Sequence, residues 1–320
     1  MAATIYEKFI QNLAADAAPK LDIAYPSNHA ALRKHLASEF KNSRFTLVLG
    51  AGVSEPSGLP SWSTVTNRLI KKIFQSTEGR QVVRRIQKLS IPEPRKIRFL
   101  EQSSPAFGLA VRDAIYERYT HTNKNKTLKA IARLAATTHT QKRFLNIITY
   151  NVDDLLEEHL NAIGLKGHYS VISCDKSYRS AKERVCIYHP HGYLPRNTDT
   201  DELLESKLVF SERQYHESFF DHTYWPNMIQ RASFVRTTCL FVGCSLNDQN
   251  QRRLLDQSRL SDAAIQLGHA AFFRKSTRYR TAAQNMITDY ITTQDVRSLG
   301  VEPYWLRSWD DAAAVLARLI

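Results

Sequence analysis

The chain has 320 residues, 43% of them hydrophobic and 23% charged, with 44 Lys and Arg against 31 Asp and Glu for a formal net charge of +13. That is enough apolar sequence to bury one large domain or two small ones, and it excludes intrinsic disorder. The basic surplus calls for an acidic partner, a polyphosphate ligand or plain surface solvation.

The N-terminal stretch MAATIYEKFIQNLAADAAPK carries acids and polar residues where a signal peptide needs an unbroken apolar run. No apolar run anywhere approaches the roughly 20 residues of a spanning helix. A cytoplasmic protein without membrane contact is expected. Cys174, Cys186, Cys239 and Cys244 form no CxxC pair, so reduced and mostly buried thiols are expected rather than a disulfide framework or a zinc ribbon.

Residues 28–42 place Leu32, Leu36 and Phe40 four apart, the spacing of one helical face, just before the apolar run Phe45 to Leu49. A helix feeding a central parallel strand is predicted, since a strand buried on both faces reads as continuous apolar sequence. Similar runs recur at 144–151, 185–192, 207–210, 237–245, 269–275 and 302–308, several followed by helical stretches such as 153–164 and 250–258. The alternation predicts an α/β fold, a Rossmann-like and mostly parallel sheet.

Residues 64–140 depart from it. They show helical periodicity (Leu69, Ile73; Val82, Val83, Ile86; Leu128, Ile131, Leu134) broken at Pro92, Pro94 and Pro105, with no strand pattern. The segment holds 16 Lys and Arg against 5 Asp and Glu, a surplus of 11 that is most of the chain's +13. We read 1–320 as a single domain with 64–140 as a basic helical insertion, either a solvated surface or a docking face for nucleic acid or an acidic protein.

Candidate chemistry gathers at strand ends. Gly50-Ala51-Gly52-Val53-Ser54 follows the first strand, where glycines let backbone N–H groups approach a pyrophosphate or, alternatively, serve a tight turn. TYNVDD (149–154), HPHG (189–192) and GCSLND (243–248) end other strands, and in an open parallel sheet such ends converge on one crevice. Asn151 offers donor and acceptor atoms without a charge, or else caps the helix expected from about Asp153. His191, with an unperturbed pKa near neutrality, suits proton acceptance; His189 falls on the same strand face if the strand is regular, but without acidic or cysteine ligands nearby no metal is expected. Ser245, Asn247 and Asp248 could bond ribose hydroxyls or cap the next helix. Trp62 beside the glycine loop, and Phe219, Phe220, Tyr224 and Trp225, are read as core.

These motifs together resemble the sirtuin superfamily. GAGVSEPSGLP is similar to the sirtuin GAGxSxxxGIP segment, TYNVD to TQNID, His191-Gly192 to the HG pair bearing the catalytic histidine, and GCSLND to the GTSL loop, in the same order over about residues 44–275. Sirtuin deacylases continue PDFR after the second glycine and carry a four-cysteine zinc module, whereas this chain has Pro60-Ser61-Trp62-Ser63 and no such module. GLPSW, the basic insertion and LVFSERQYHESFF (208–220) look instead like bacterial sirtuin-like NAD hydrolases of antiphage defence. The resemblance implies cleavage of NAD to nicotinamide and ADP-ribose, with Asn151 and His191 catalytic. Gly50, Ala51, Gly52, Ser54, Gly243, Ser245, Asn247 and Asp248 would bind NAD, and Asp153 would meet the nicotinamide carboxamide, with helix capping as its alternative job. It further implies a second subunit that senses infection, with homo-oligomers possible. The alternatives are an NAD-dependent protein deacylase and a non-catalytic nucleotide-sensing or nucleic-acid-binding subunit.

Overall fold

Seven short strands lie side by side in one sheet among the described residues, and the central ones, rich in Val, Ile, Leu and Phe, are buried on both pleat faces and need cover above and below. The structure, a computed structural model, describes residues 29–74, 81, 83–86, 89, 91–104, 107–119, 124–197, 208–220, 223–260, 268–279 and 281–320. The first 28 residues, Val82, Pro105, Lys207 and the side chains of Phe219 and Phe220, for which expectations were stated, lie outside the described residues.

Helix α1 (His29–Lys41) leads into β1 (Phe45–Leu49). Among the described residues that follow are α2 (Trp62–Ile73), α3 (Glu93–Gln102), α4 (Phe107–Tyr116) and α5 (Lys126–Thr140). Strand and helix then alternate through β2 (Leu145–Thr149), α6 (Leu155–Ala162), β3 (Ser170–Ile172), α7 (Asp175–Ser180) and β4 (Val185–Tyr188). Two helices, α8 (Glu212–Phe220) and α9 (Trp225–Arg236), precede β5 (Thr238–Val242), and α10 (Gln249–Arg259) follows it. The chain closes with β6 (His269–Arg274), α11 (Ala282–Ser298), β7 (Val301–Leu306) and α12 (Trp309–Ala317).

Among the described residues all pairings are parallel, in the order β3-β4-β2-β1-β5-β6-β7. The α/β, Rossmann-like sheet predicted from the sequence is therefore observed. From β1 the chain adds β2, places β3 at the edge and returns with β4 between the two, then crosses to β5 and works outward through β6 and β7 on the other side. The order reverses between β1 and β5, and loops leaving the strands there diverge to leave a crevice.

Successive side chains point to opposite faces, so Leu47, Leu49, Ile147, Leu240 and Val242 enter one core with α1, α2, α5 and α12. Val48, Cys239 and Phe241 enter a second with Phe234, Leu254 and Val296. Cys186 and Cys239 are buried, and Cys174 and Cys244 half-buried, all four unbridged.

Two expectations are corrected. The apolar run 207–210 is no strand over its described residues 208–210: Val209 N–H donates to the His191 carbonyl at 3.0 Å and Phe210 N–H to Gln214 Oε1 at 2.7 Å, so no ladder forms. Its apolarity reflects burial of Val209 and Phe210 under other segments. Helix α6 starts at Leu155, not Asp153, because Asp153 Oδ1 takes the Leu155 N–H from outside the helix at 3.2 Å.

Candidate active site

Register puts the motifs at one height. Leu49 aligns with Thr149 on one side and Val242 on the other, so Gly50, Tyr150 and Gly243 emerge together. Ile148 aligns with Tyr188, and Asn151 and His191 each lie three residues beyond that pair.

The glycines serve loop packing. Gly50 N–H donates to Val242 O and Gly52 N–H to Gly243 O, each at 3.0 Å. A Cβ on Gly50 would fall 2.6 Å from Gly243 O, and one on Gly243, at φ +67°, would fall 2.5 Å from Val53 N. Backbone lies on backbone here, which only glycine permits. Val53 and Ser54 N–H close turns onto Gly50 and Ala51 carbonyls, so four amides of this loop are committed internally. Ala51 is exposed at its crest. Asn125, the N-cap of α5, braces the loop from beneath: Nδ2 donates to Val53 O at 2.7 Å and to Ser57 Oγ at 2.9 Å.

Asn151 is no helix cap. Its Nδ2 donates to Gly50 O at 3.1 Å and to Ser54 Oγ at 2.9 Å. A carbonyl only accepts, so the amide nitrogen must face Gly50 and Oδ1 must face away. Among the described residues Oδ1 has no hydrogen-bond partner. Ser54 passes its own hydrogen to Asp153 Oδ2 at 2.8 Å. Burial pushes the Asp153 carboxyl up to about 7, against the hydrogen bonds from Ser54 and Leu155 that favour its ionised form.

His191 stands between two tyrosines, its ring edge-on to Tyr150 at 4.9 Å and to Tyr215 at 5.5 Å between centroids. Its Nε2 lies 3.7 Å from Asp248 Oδ2. Burial holds the imidazole below its ordinary pKa while the Asp248 charge pulls the other way, so the neutral, proton-accepting form is favoured at pH 7. Asp248 caps α10 through Oδ1, accepting from Gln251 N at 2.8 Å, and takes the Tyr215 hydroxyl on Oδ2 at 3.0 Å.

His189 does not share a face with His191, because β4 ends at Tyr188 and the parity of a regular strand stops there. Its side chain is fully buried against Glu157 and the Asn151 carbonyl, each at 2.9 Å. Ser245 and Asn247 are exposed on the 243–248 loop, where Ser245 Oγ accepts from Asn247 N at 3.4 Å and buried Leu246 takes φ 55°. That left-handed conformation is strained for a leucine. Trp62 is only partly core: it is 37% exposed and stacks on Phe210 at 4.8 Å. Trp225 is buried as expected.

Residues 145–293 match a family model described as a SIR2-like domain. Over that stretch the chain is SIR2-like. The match takes in Asn151, His191 and Asp248 and begins after the glycine loop. Over 290 residues, 89% of its length, the chain is 22% identical to "NAD(+) hydrolase ThsA" of Acinetobacter baumannii, covering 54% of that protein. Over 130 residues, 41% of its length, it is 25% identical to "NAD(+) hydrolase ThsA" of Cytobacillus dafuensis, covering 24% of that protein. The chain thus spans about half or less of the curated relatives it matches.

Three residues that the structure brings to this candidate site were missed in the sequence. Tyr215 and Glu157 belong to helices and show no local signal; Asn125 carried one, an asparagine just ahead of an apolar-periodic helix. Away from the strand ends, a cavity of about 930 Å³ opens between α2 and α4 and is lined by Arg68, Lys71, Lys72, Arg112, Arg118 and Arg196 among others. Some of this charge is matched: Arg68 pairs with Glu117 at 3.1 Å, Lys72 with Asp113, and Arg196 with Glu158 at 2.6 Å. Tyr116, also in the lining, donates to Asp154 Oδ1 at 2.9 Å, next to Asp153. Among the described residues no group of three or more His, Cys, Asp or Glu is placed to hold a metal ion, and no helix is long and apolar enough to cross a membrane.

Proposed function

We propose that the chain is an NAD glycohydrolase that cleaves NAD to nicotinamide and ADP-ribose. One observation carries the reading: at the ends of adjacent strands stand a neutral amide with its acceptor oxygen uncommitted, Asn151, and a histidine disfavoured from protonation by burial yet faced by a carboxylate, His191 with Asp248. The likeness to two proteins named as NAD(+) hydrolases supports it.

The chemistry asks for little more. The bond from ribose C1′ to the pyridinium nitrogen breaks with its electron pair leaving on nicotinamide, which departs neutral and needs no general acid. The oxocarbenium left behind takes a water oxygen at C1′, and the water's proton passes to His191. Asp248, 3.7 Å away, stabilises the imidazolium so formed. Asn151 Oδ1 accepts from the attacking water or a ribose hydroxyl. Gly50, Ala51, Gly52 and Ser54 shape the pyrophosphate and ribose seat, with the exposed start of the turn at Ala51 as its anionic contact. Asp153, half-protonated near pH 7, meets the nicotinamide carboxamide, and Gly243, Ser245, Asn247 and Asp248 border the adenosine end.

The wider role we propose is NAD depletion in antiphage defence in the cytoplasm, released by a second subunit that senses infection. The surplus of 11 cations in residues 64–140 and the cationic cavity beside Asp154 support docking of an acidic partner there.

The test is basal nicotinamide release from NAD by the purified chain at high enzyme concentration, without and with an acylated peptide. Release without peptide is expected. Release strictly dependent on the peptide would instead mean a deacylase, and a biological effect that survives Asn151→Ala and His191→Ala would mean a non-catalytic sensor or nucleic-acid-binding subunit.

A further inference from the structure

Asn151 lies just past the last ladder bond of its strand, so something other than the sheet must hold its main chain. Its N–H goes to Thr149 Oγ1 at 3.2 Å and its carbonyl to His189 Nδ1 at 2.9 Å, both side-chain partners. His189 is in turn anchored to β3, its N–H donating to Ile172 O at 2.8 Å, and its ring packs 4.5 Å from that of Tyr193.

Both nitrogens of this buried ring face oxygen. The Asn151 carbonyl only accepts, so Nδ1 carries a hydrogen. At the other side Nε2 meets Glu157 Oε1 at 2.9 Å, with side-chain exposures of 0% for His189 and 6% for Glu157. Imidazolium against carboxylate and imidazole against carboxylic acid both place one proton between Nε2 and Oε1. Two ionisable side chains are thus withdrawn from water around one proton, with Glu157 Oε2 sheltered and, among the described residues, without a hydrogen-bond partner. Such a pair is costly to bury, and an apolar pair of similar volume would serve the core as well. Its one directed product is the bond to Asn151 O.

We propose that His189 and Glu157 are positioning residues for NAD cleavage, a one-proton clamp that fixes the Asn151 main chain and, through it, where Oδ1 points. The proposal rests on the catalytic role proposed for Asn151. The clamp acts through geometry, so an uncharged pair with the same hydrogen bonds should do the same work. In Glu157→Gln the new amide donates to the lone pair of neutral His189, and Nδ1 still donates to Asn151 O. In Glu157→Leu that partner is gone, and in His189→Phe the donor to Asn151 is gone.

The test compares these three variants with Asn151→Ala in steady-state nicotinamide release by the full chain, together with their crystal structures. Displacing a positioned group typically costs one to two orders of magnitude, so kcat is expected to fall about 10- to 100-fold in His189→Phe and Glu157→Leu, with KM for NAD within about threefold. Glu157→Gln is expected to keep wild-type kcat within about threefold. The crystal structures should keep the Asn151 Nδ2 contact to Gly50 O in Glu157→Gln and lose it in His189→Phe. Wild-type kcat in a folded His189→Phe or Glu157→Leu overturns the clamp, as does a kcat loss in Glu157→Gln or an unmoved Asn151 in His189→Phe. If Asn151→Ala itself turns over NAD normally, the functional reading falls and the clamp with it. If Asn151→Ala is inactive while His189→Phe is not, the clamp alone falls.

Discussion

His191 faces Asp248 across 3.7 Å, and that carboxylate is fixed by the Tyr215 hydroxyl on one oxygen and the Gln251 N–H on the other. Asparagine caps helices as well as aspartate does, so Asp248→Asn should spare α10 while removing the charge behind His191. A kcat loss of about 100-fold at nearly unchanged melting temperature is expected, with a smaller loss in Tyr215→Phe. Stopped-time nicotinamide assays beside thermal melts decide it. Equal losses in activity and stability would make Asp248 a cap and nothing more.

Asp153 gives the site a pH signature in stability. Its carboxyl titrates at about 7 in the fold against 3.8 as an ordinary aspartate, so the folded chain binds the proton more tightly than the unfolded one between those values. The contribution of this group to stability is therefore largest below pH 4, declines as pH rises towards 7, and stays constant above that. Asp153→Asn has no such titration. Whatever its fixed offset, its melting temperature minus that of the wild type should climb from about pH 4 to 7 and then level off. A difference independent of pH would contradict the burial of this carboxyl.

The sheet and the place of the site were legible because they rest on local signals. Phe45 to Leu49 is apolar on both pleat faces, and Asn151, His191 and Asp248 each stand a few residues past such a run. What was not legible depends on where chain segments meet. Tyr215 reaches Asp248 from α8, and Val209 and Phe210 are apolar because they are covered, not because they pair. The parity that put His189 beside His191 assumed a strand that ends at Tyr188. Gly50 and Gly52 were read as making room for a pyrophosphate or as serving a tight turn; in the fold they and Gly243 first make room for one another.

That packing predicts a steep cost for a single methyl group. In Gly243→Ala the Cβ would sit 2.5 Å from Val53 N at a φ of +67°, where L residues are strained. The clash cannot relax through a flexible side chain, since the nearest atoms, Val53 N and Gly52 C and Cα, are all backbone. Destabilisation of about 2–4 kcal/mol in chemical denaturation is expected, a core-disrupting size. A loss below about 0.5 kcal/mol, the usual range of surface changes, would mean the two loops can separate freely.

Arg84 and Arg85 are exposed in the basic stretch between α2 and α3. If this surface docks an acidic partner, reversing both to Glu should weaken partner-dependent activation and leave the NAD dissociation constant nearly unchanged. The wild-type interaction should also weaken as salt rises above about 0.1 M, where charges beyond roughly 10 Å are screened. Intact assembly of the reversed variant across a salt titration would make the segment a solvated surface, and lost NAD binding in a folded variant would place it in the site.

The central claim is that Asn151 and His191 serve one cleavage step, and it is tested most directly by single-turnover nicotinamide release from NAD in Asn151→Ala and His191→Ala. Both are predicted to stay folded and lose nearly all release, and the double variant to lose little more than either alone, because residues acting as a unit are not additive. Wild-type release by either folded variant would contradict the account.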